Sequence, residues 1–174
     1  MVKVFTAPAM FGEMELFFDL PRMESVVALS DVVAMRIDGA TFLKLAREDN
    51  ALCFELLRDL AGRLCIAADN ERSLAFEPVE ARLAALFLSF VEASRVGPYA
   101  RRELPFRLTY HTLARCLGVT ERSIERTVSK WLAAGWVSRS AGRYTFADMS
   151  ELEARAPAQR LHLASRLGSA PRGR

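Results

Sequence analysis

The tightest constraint on this chain is the spacing of apolar residues and glycines between residues 108 and 146. Leu113 and Leu117 stand four apart and Gly118 follows at once. A glycine allows the left-handed turn that a side chain resists. Thr120 then suits the cap of a second helix, 121–134, along which Ile124, Val128 and Leu132 recur every four residues. Gly135 ends that helix. Thr109 serves the first helix, 108–117, in the same way. Segments 136–140 and 143–146 predict two short strands about Ala141 and Gly142. Helix, glycine turn, helix and hairpin in this order predict a winged helix-turn-helix, whose second helix is built to enter the major groove of DNA.

The charge distribution agrees. The chain has 174 residues and a net charge of +3. Residues 1–100 hold 10 basic and 15 acidic side chains, whereas residues 101–146 hold nine basic and three acidic ones. A basic segment beside a mildly acidic body suits a nucleic-acid partner, because neutralised phosphates supply much of the affinity. Half the chain is hydrophobic, at 51%, enough for a buried core. No apolar run reaches membrane-spanning length, so the chain is expected in the cytoplasm, with no membrane partner. Cys53, Cys65 and Cys116 fit no disulfide or metal spacing, and no metal is expected.

Upstream, 2–5 and 25–37 are rich in β-branched and apolar residues and are expected as strands. A helix should run from Gly39 to Glu48, with Asp49 and Asn50 as break and cap. From Asn50 to Phe76 a longer helix carries Leu57, Leu60, Leu64, Ala67, Glu71 and Leu74 at heptad spacing. This seam packs either on its own domain or on a second copy; Glu71 within it and the flanking charges suit a copy. Leu57, Leu60, Leu64, Ala67 and Leu74 are therefore the expected dimerisation residues. After Pro78, a helix over 79–94 turns Leu83, Leu86, Phe87 and Phe90 to one side, and Gly97 and Pro98 end that region. A last short helix falls in 148–156, before Pro157.

With Ile124, Val128 and Leu132 inward, Glu121, Arg122, Glu125, Arg126 and Ser129 point outward. Arg pairs with guanine and Glu accepts from cytosine N4. Arg122 and Arg126 share one stripe, and Lys130 follows a turn later, toward the backbone. Thr109, Tyr110, His111, Thr120 and Ser123 are candidate phosphate donors, and Arg139 and Arg143 flank the wing turn. Glu121 suits the helix dipole but repels phosphate, so a base edge is expected opposite it.

These residues resemble the DNA-binding half of the CRP/FNR family of bacterial regulators. The match runs through Gly118, Thr120, Ser123, Ile124 and Arg126; Glu121 and Arg122 reverse the family's usual Arg-Glu order. The stretch from Phe11 through Gly12, Glu13 and Met14 to Phe17 resembles the start of the family's cyclic-nucleotide cassette, making Gly12 and Glu13 the candidate cofactor residues. In that family the Glu takes the ribose hydroxyl, and a later Arg-Ser/Thr pair takes the phosphate. Here Met23 and Glu24 stand in those two places and Arg22 is displaced by one, so no cofactor is expected and the cassette is read as a relic. The resemblance spans about 5–156 and begins partway through the family's N-terminal domain, as a misplaced start or a truncated gene would produce.

The resemblance implies an α+β fold: a partial β-roll or jelly-roll remnant over 1–39, a helical hinge and long dimerisation helix over 40–76, and a C-terminal winged helix-turn-helix over 78–148. A flexible tail follows over 157–174. It further implies double-stranded DNA and a second copy of the chain as partners, and RNA polymerase if the protein activates. Two alternatives stand beside it. One is a cyclic-nucleotide or other small-molecule sensor. The other is a truncated protein that heterodimerises without binding DNA itself. No catalytic residues are expected: His111 and His162 lie away from any Cys or carboxylate at ligand spacing, and no phosphate loop or nucleophile elbow occurs.

Overall fold

The computed structural model describes residues 5, 9–94, 103–104 and 106–157. The strand expected at 2–5 (save Phe5), the break at Gly97 and Pro98, His162 and the tail from residue 158 lie outside them. The chain divides into two compact units, with the boundary after Ala67.

In the first unit a 3-10 turn, Met14–Phe18, precedes helix α1, Gly39–Glu48. Asp38 caps α1 by accepting from the Thr41 N–H at 2.9 Å. The Thr41 hydroxyl and N–H together hold the Asp38 carboxyl below its usual range. Helix α2, Asn50–Phe76, starts where the Asp49 carboxylate accepts from the N–H groups of Ala51 and Leu52. Gly39 admits a close approach: a Cβ there would meet Leu16 Cδ2 at 2.8 Å. Phe42 is buried, with Phe17 edge-on to it at 6.3 Å.

The expected strand over 25–37 is not formed. Among the described residues no strand precedes Val137, and 25–37 is exposed throughout, with Val33 fully so. The β-branched composition is present, but a strand is stable only through a ladder to a neighbour, and this segment has no such partner here.

The second unit is built on α3, Val79–Ser94, whose Leu83 and Phe87 are fully buried. Helices α4, Tyr110–Leu117, and α5, Glu121–Ala133, pack against it. Strands β1, Val137–Ser140, and β2, Arg143–Phe146, pair antiparallel, Val137 opposite Phe146 and Ser140 opposite Arg143. Helix α6, Ser150–Arg155, closes the chain on α3 with Leu152 buried. The Phe87 ring lies 6.1 Å from Trp131, 4.9 Å from Tyr144 and 5.3 Å from Phe146, so α3, α5 and the hairpin share one aromatic core. Each such side chain contributes about 1.5–3 kcal/mol when fully buried.

Two details went beyond the sequence reading. The inner face of α5 is Ile124, Thr127, Val128 and Trp131, with Leu132 only half-buried. Counting by fours alone picked Leu132, whereas the i, i+3, i+4, i+7 pattern of a helix face picks Trp131. Also, the Leu104 N–H donates to the Tyr144 carbonyl at 2.9 Å and Glu103 bridges Thr145, so a short third edge joins the hairpin. Leu104, Phe106 and Leu108 are buried and alternate in strand fashion. Pro105 between them masked that signal in the sequence.

The wing turn places Ala141 at φ 49° and Gly142 at φ 81°. Both values belong to a two-residue hairpin turn that favours Asn before Gly. An Ala in that region carries a strain of roughly 1 kcal/mol. Ala141→Asn should therefore stabilise the protein by about 0.5–1 kcal/mol, read as a raised midpoint in urea unfolding; an unchanged or lowered midpoint contradicts this turn geometry.

Candidate nucleic-acid interface

The surface is made by the starts of α4 and α5 together with the hairpin. Thr109 caps α4 by accepting from the Thr112 N–H at 3.0 Å, and Thr120 caps α5 by accepting from the Ser123 N–H at 3.3 Å. Each cap is worth about 1 kcal/mol. Between the helices Gly118 takes φ 63°, the left-handed turn expected of it. The buried Arg82 guanidinium of α3 donates to the Leu117 carbonyl at the end of α4. A cation at a helix C-terminus also favours the dipole, so Arg82 holds the turn from behind.

Because Ile124, Thr127, Val128 and Trp131 are buried, the opposite face of α5 is free. Glu121, Arg122, Glu125, Arg126, Ser129 and Lys130 are all exposed on it. The Trp131 indole N–H donates to Glu80 Oε1 at 2.8 Å and fixes the rotation of α5 about its axis. Thr120, Arg122, Ser123 and Arg126 line a shallow concavity of about 140 Å³. Arg122, Arg126 and Lys130 form no ion pair among the described residues, which leaves three cations available along 122–130.

Other expected residues are differently engaged. The hydroxyls of Thr109 and Thr120 act as caps, and the Thr120 and Ser123 hydroxyls meet at 2.9 Å. Backbone N–H groups at the two helix starts are therefore better phosphate donors than these side chains. Tyr110 is half-buried, with the Arg139 guanidinium 4.4 Å above its ring. Arg139 also lies 5.5 Å from the Tyr144 ring, so it is pinned on α4 and β2 rather than extended. Burial pushes the Tyr144 phenol up to about 12, so that ring stays neutral. Arg143, on the far side of the turn, reaches Glu103 at 3.9 Å and remains half-exposed. Glu121 is exposed as expected and also has a protein partner that the sequence did not indicate: its Oε1 lies 2.8 Å from His111 Nδ1. That contact was missed because it joins residues ten apart through the fold of the turn.

A family profile described as the Crp-like helix-turn-helix domain matches residues 81–155, and one described as the cyclic nucleotide-binding domain matches residues 1–49. Together they take in well over half of the chain. The chain thus carries a Crp-like helix-turn-helix domain behind a segment similar to a cyclic nucleotide-binding domain, the two parts of a CRP/FNR-type regulator. A relative from Mycobacterium tuberculosis, the CRP-like cAMP-activated global transcriptional regulator, is 24% identical over 147 residues. The match covers 84% of this chain and 66% of that protein. FixK2 from Bradyrhizobium japonicum shares the fold at a TM-score of 0.61 and 20% identity, over 70% of this chain and 60% of its own. A crp/fnr-family protein from Eubacterium rectale gives a TM-score of 0.50 at 20% identity, over 67% of this chain and 51% of its own. The chain thus spans between about half and just under two thirds of the length of the relatives it matches. Among the described residues no helix is long and apolar enough to cross a membrane.

The match over 1–49 raises the fit of a cyclic nucleotide. Glu13, which would take the ribose hydroxyl, is only 3% exposed, and Arg63 of α2 donates to its Oε1 at 2.6 Å. The same Arg63 donates to the Met10 carbonyl at 2.7 Å. Arg22 donates to the Gly12 carbonyl and lies 3.5 Å from Glu15 Oε2, while Met23 offers no charge. One oxygen of the Glu13 carboxylate is thus held in a largely buried ion pair while its Oε2 is buried without a hydrogen-bond partner among the described residues, and the Arg22 guanidinium is folded onto the backbone rather than free for a phosphate. With Met23 and Glu24 in the phosphate-pairing places and Arg22 engaged by Gly12 and Glu15, these residues do not fit the phosphate of a cyclic nucleotide. Calorimetry with cyclic AMP and cyclic GMP should show no saturable heat, and a saturable micromolar isotherm would overturn this reading of Glu13 and Arg22.

Proposed function

We propose that this chain is a sequence-specific DNA-binding transcription regulator, acting in the cytoplasm as a homodimer on a palindromic operator. The observation that carries it is the exposed stripe of Arg122, Arg126 and Lys130 on a helix whose opposite face is locked into the core. In a winged helix-turn-helix the first turns of such a helix enter the major groove. Arg122 and Arg126 then reach neighbouring base pairs, while Lys130, a turn further on, meets the backbone. Arg143 brings the wing to the flanking phosphates, while Arg139, pinned on Tyr110 and Tyr144, adds positive charge beside them. The N-terminal domain match and the cAMP-activated relative favour a sensor, but Arg22 is already engaged and Met23 offers no charge to a phosphate, so DNA binding is taken as independent of cyclic nucleotide. RNA polymerase becomes a partner if the protein activates; the same surface also serves repression.

The dimer rests on α2. Leu57, Leu64, Ala67 and Leu74 are exposed and Leu60 half-buried, with Leu64 71% accessible. A heptad seam left bare on a 27-residue helix matches what pairing with a second copy requires. Two copies would set their recognition helices about one helical turn of DNA apart, roughly 34–36 Å. Replacing Leu60 and Leu64 with Lys should give monomers in sedimentation and a sharp loss of operator binding. A wild-type chain that sediments as a monomer at micromolar concentration contradicts the dimer.

The decisive experiment selects bound DNA from a random pool and then compares two substitutions on the selected site. Arg126→Ala should cost about 1–3 kcal/mol on that site and relax the preference at one base position. Lys130→Ala should weaken all sequences alike and lower the salt slope by about one unit. Equal loss on selected and random DNA for Arg126→Ala would leave a non-specific binder and remove the claim of sequence-specific regulation.

A further inference from the structure

The starts of α4 and α5 meet through one side-chain pair. His111 is the second residue of α4 and Glu121 the first of α5, and His111 Nδ1 lies 2.8 Å from Glu121 Oε1. Glu121 is also where this chain departs from the Arg-Glu order of the family pattern. Both side chains are more than half exposed, so in water the pair contributes little to stability. Its geometry is more informative than its strength. Only Oε1 is engaged, and Oε2 has no protein partner among the described residues. The carboxylate is thus held at one oxygen and open at the other, on the exposed face that carries Arg122 and Arg126.

A carboxylate only accepts hydrogen bonds. Beside DNA it is repelled by phosphates and finds its natural partner in a base amino group, above all cytosine N4. A free Glu side chain would lose rotamer freedom on making that contact, a cost of order 1 kcal/mol. It would also be free to swing away. We propose that His111 is a positioning residue for sequence reading: it fixes Glu121 so that Oε2 accepts from cytosine N4 at one position of each half-site. This rests on the DNA-binding reading above. His111 donates from Nδ1 to the carboxylate, and its side chain is otherwise largely exposed. Arg115, one turn along α4, and Glu125, one turn along α5, are the nearest charged residues on the same helix faces by spacing, and neither pairs with His111 or Glu121.

The test is selection from a random DNA pool with the full chain, run in parallel for wild type, Glu121→Ala, His111→Ala and His111→Asn. An Asn amide nitrogen can stand near the position of Nδ1 and keep the donor. Wild type should prefer cytosine at one position per half-site, and Glu121→Ala should lose that preference alone. His111→Ala should weaken it at least about fivefold, with an unchanged thermal midpoint and an unchanged guanine preference set by Arg126. His111→Asn should restore most of it. The proposal is overturned if His111→Ala keeps the cytosine preference, or if His111→Asn behaves as His111→Ala. Selection of a site that depends on Arg126 but not on Glu121 overturns the positioning role and leaves DNA reading intact. Failure of the wild type to select any sequence removes both.

Discussion

The C-terminal unit depends on how the inner face of α5 is buried. Trp131 lies against Phe87, and its indole N–H is held by Glu80 at 2.8 Å, so α5 cannot rotate without losing both an aromatic contact and a partly buried hydrogen bond. That restraint settles which residues face solvent. Arg122, Arg126 and Lys130 are exposed because Ile124, Val128 and Trp131 are not. Arg82, buried behind the Gly118 turn, fixes the angle between α4 and α5 from the same core. An unpartnered row of cations is electrostatically unfavourable in an isolated chain. The core offsets that cost by burying the other face, and a polyanion relieves it.

The N-terminal unit follows a different logic. Its sequence matches a cyclic nucleotide-binding domain over 1–49, yet its two most diagnostic polar residues act in structure. Glu13 takes Arg63 from α2, and Arg22 turns back on Gly12 and Glu15. A buried carboxylate requires a compensating charge, and the guanidinium that supplies it lies on the helix proposed to hold two copies together. A groove of about 550 Å³, lined by Leu16, Phe17, Leu43, Leu56, Leu57 and Leu60, shows how much apolar surface this unit leaves open. Leu57 and Leu60 belong both to that groove and to the heptad seam.

Legibility in the sequence tracked the range of the interactions involved. Helix limits at Gly39, Asn50, Val79 and Glu121, and the turns at Gly118 and Ala141 with Gly142, were readable because caps, glycines and apolar periods act within a few residues. The exposed Arg122 and Arg126 followed from the same periods. Trp131 was missed by too simple a count, and the edge at Leu104 because Pro105 interrupts its alternation. The strands read into 25–37 failed for a different reason. Residue type favours a strand, but ladder partners are not encoded locally.

By itself the sequence determined the order of helix, turn, helix and hairpin, the basic character of that segment, and the candidate reading residues on α5. Those features arise from local conformational preference and from which face of a helix is apolar. Only the tertiary structure decided that Glu121 is tied to His111, that Arg139 lies pinned on Tyr110 and Tyr144, and that Glu13 Oε1 is paired with Arg63. Each of these contacts joins residues between 5 and 50 positions apart. Such pairs form only when the packing of whole elements brings them together, and no spacing along the chain announces them.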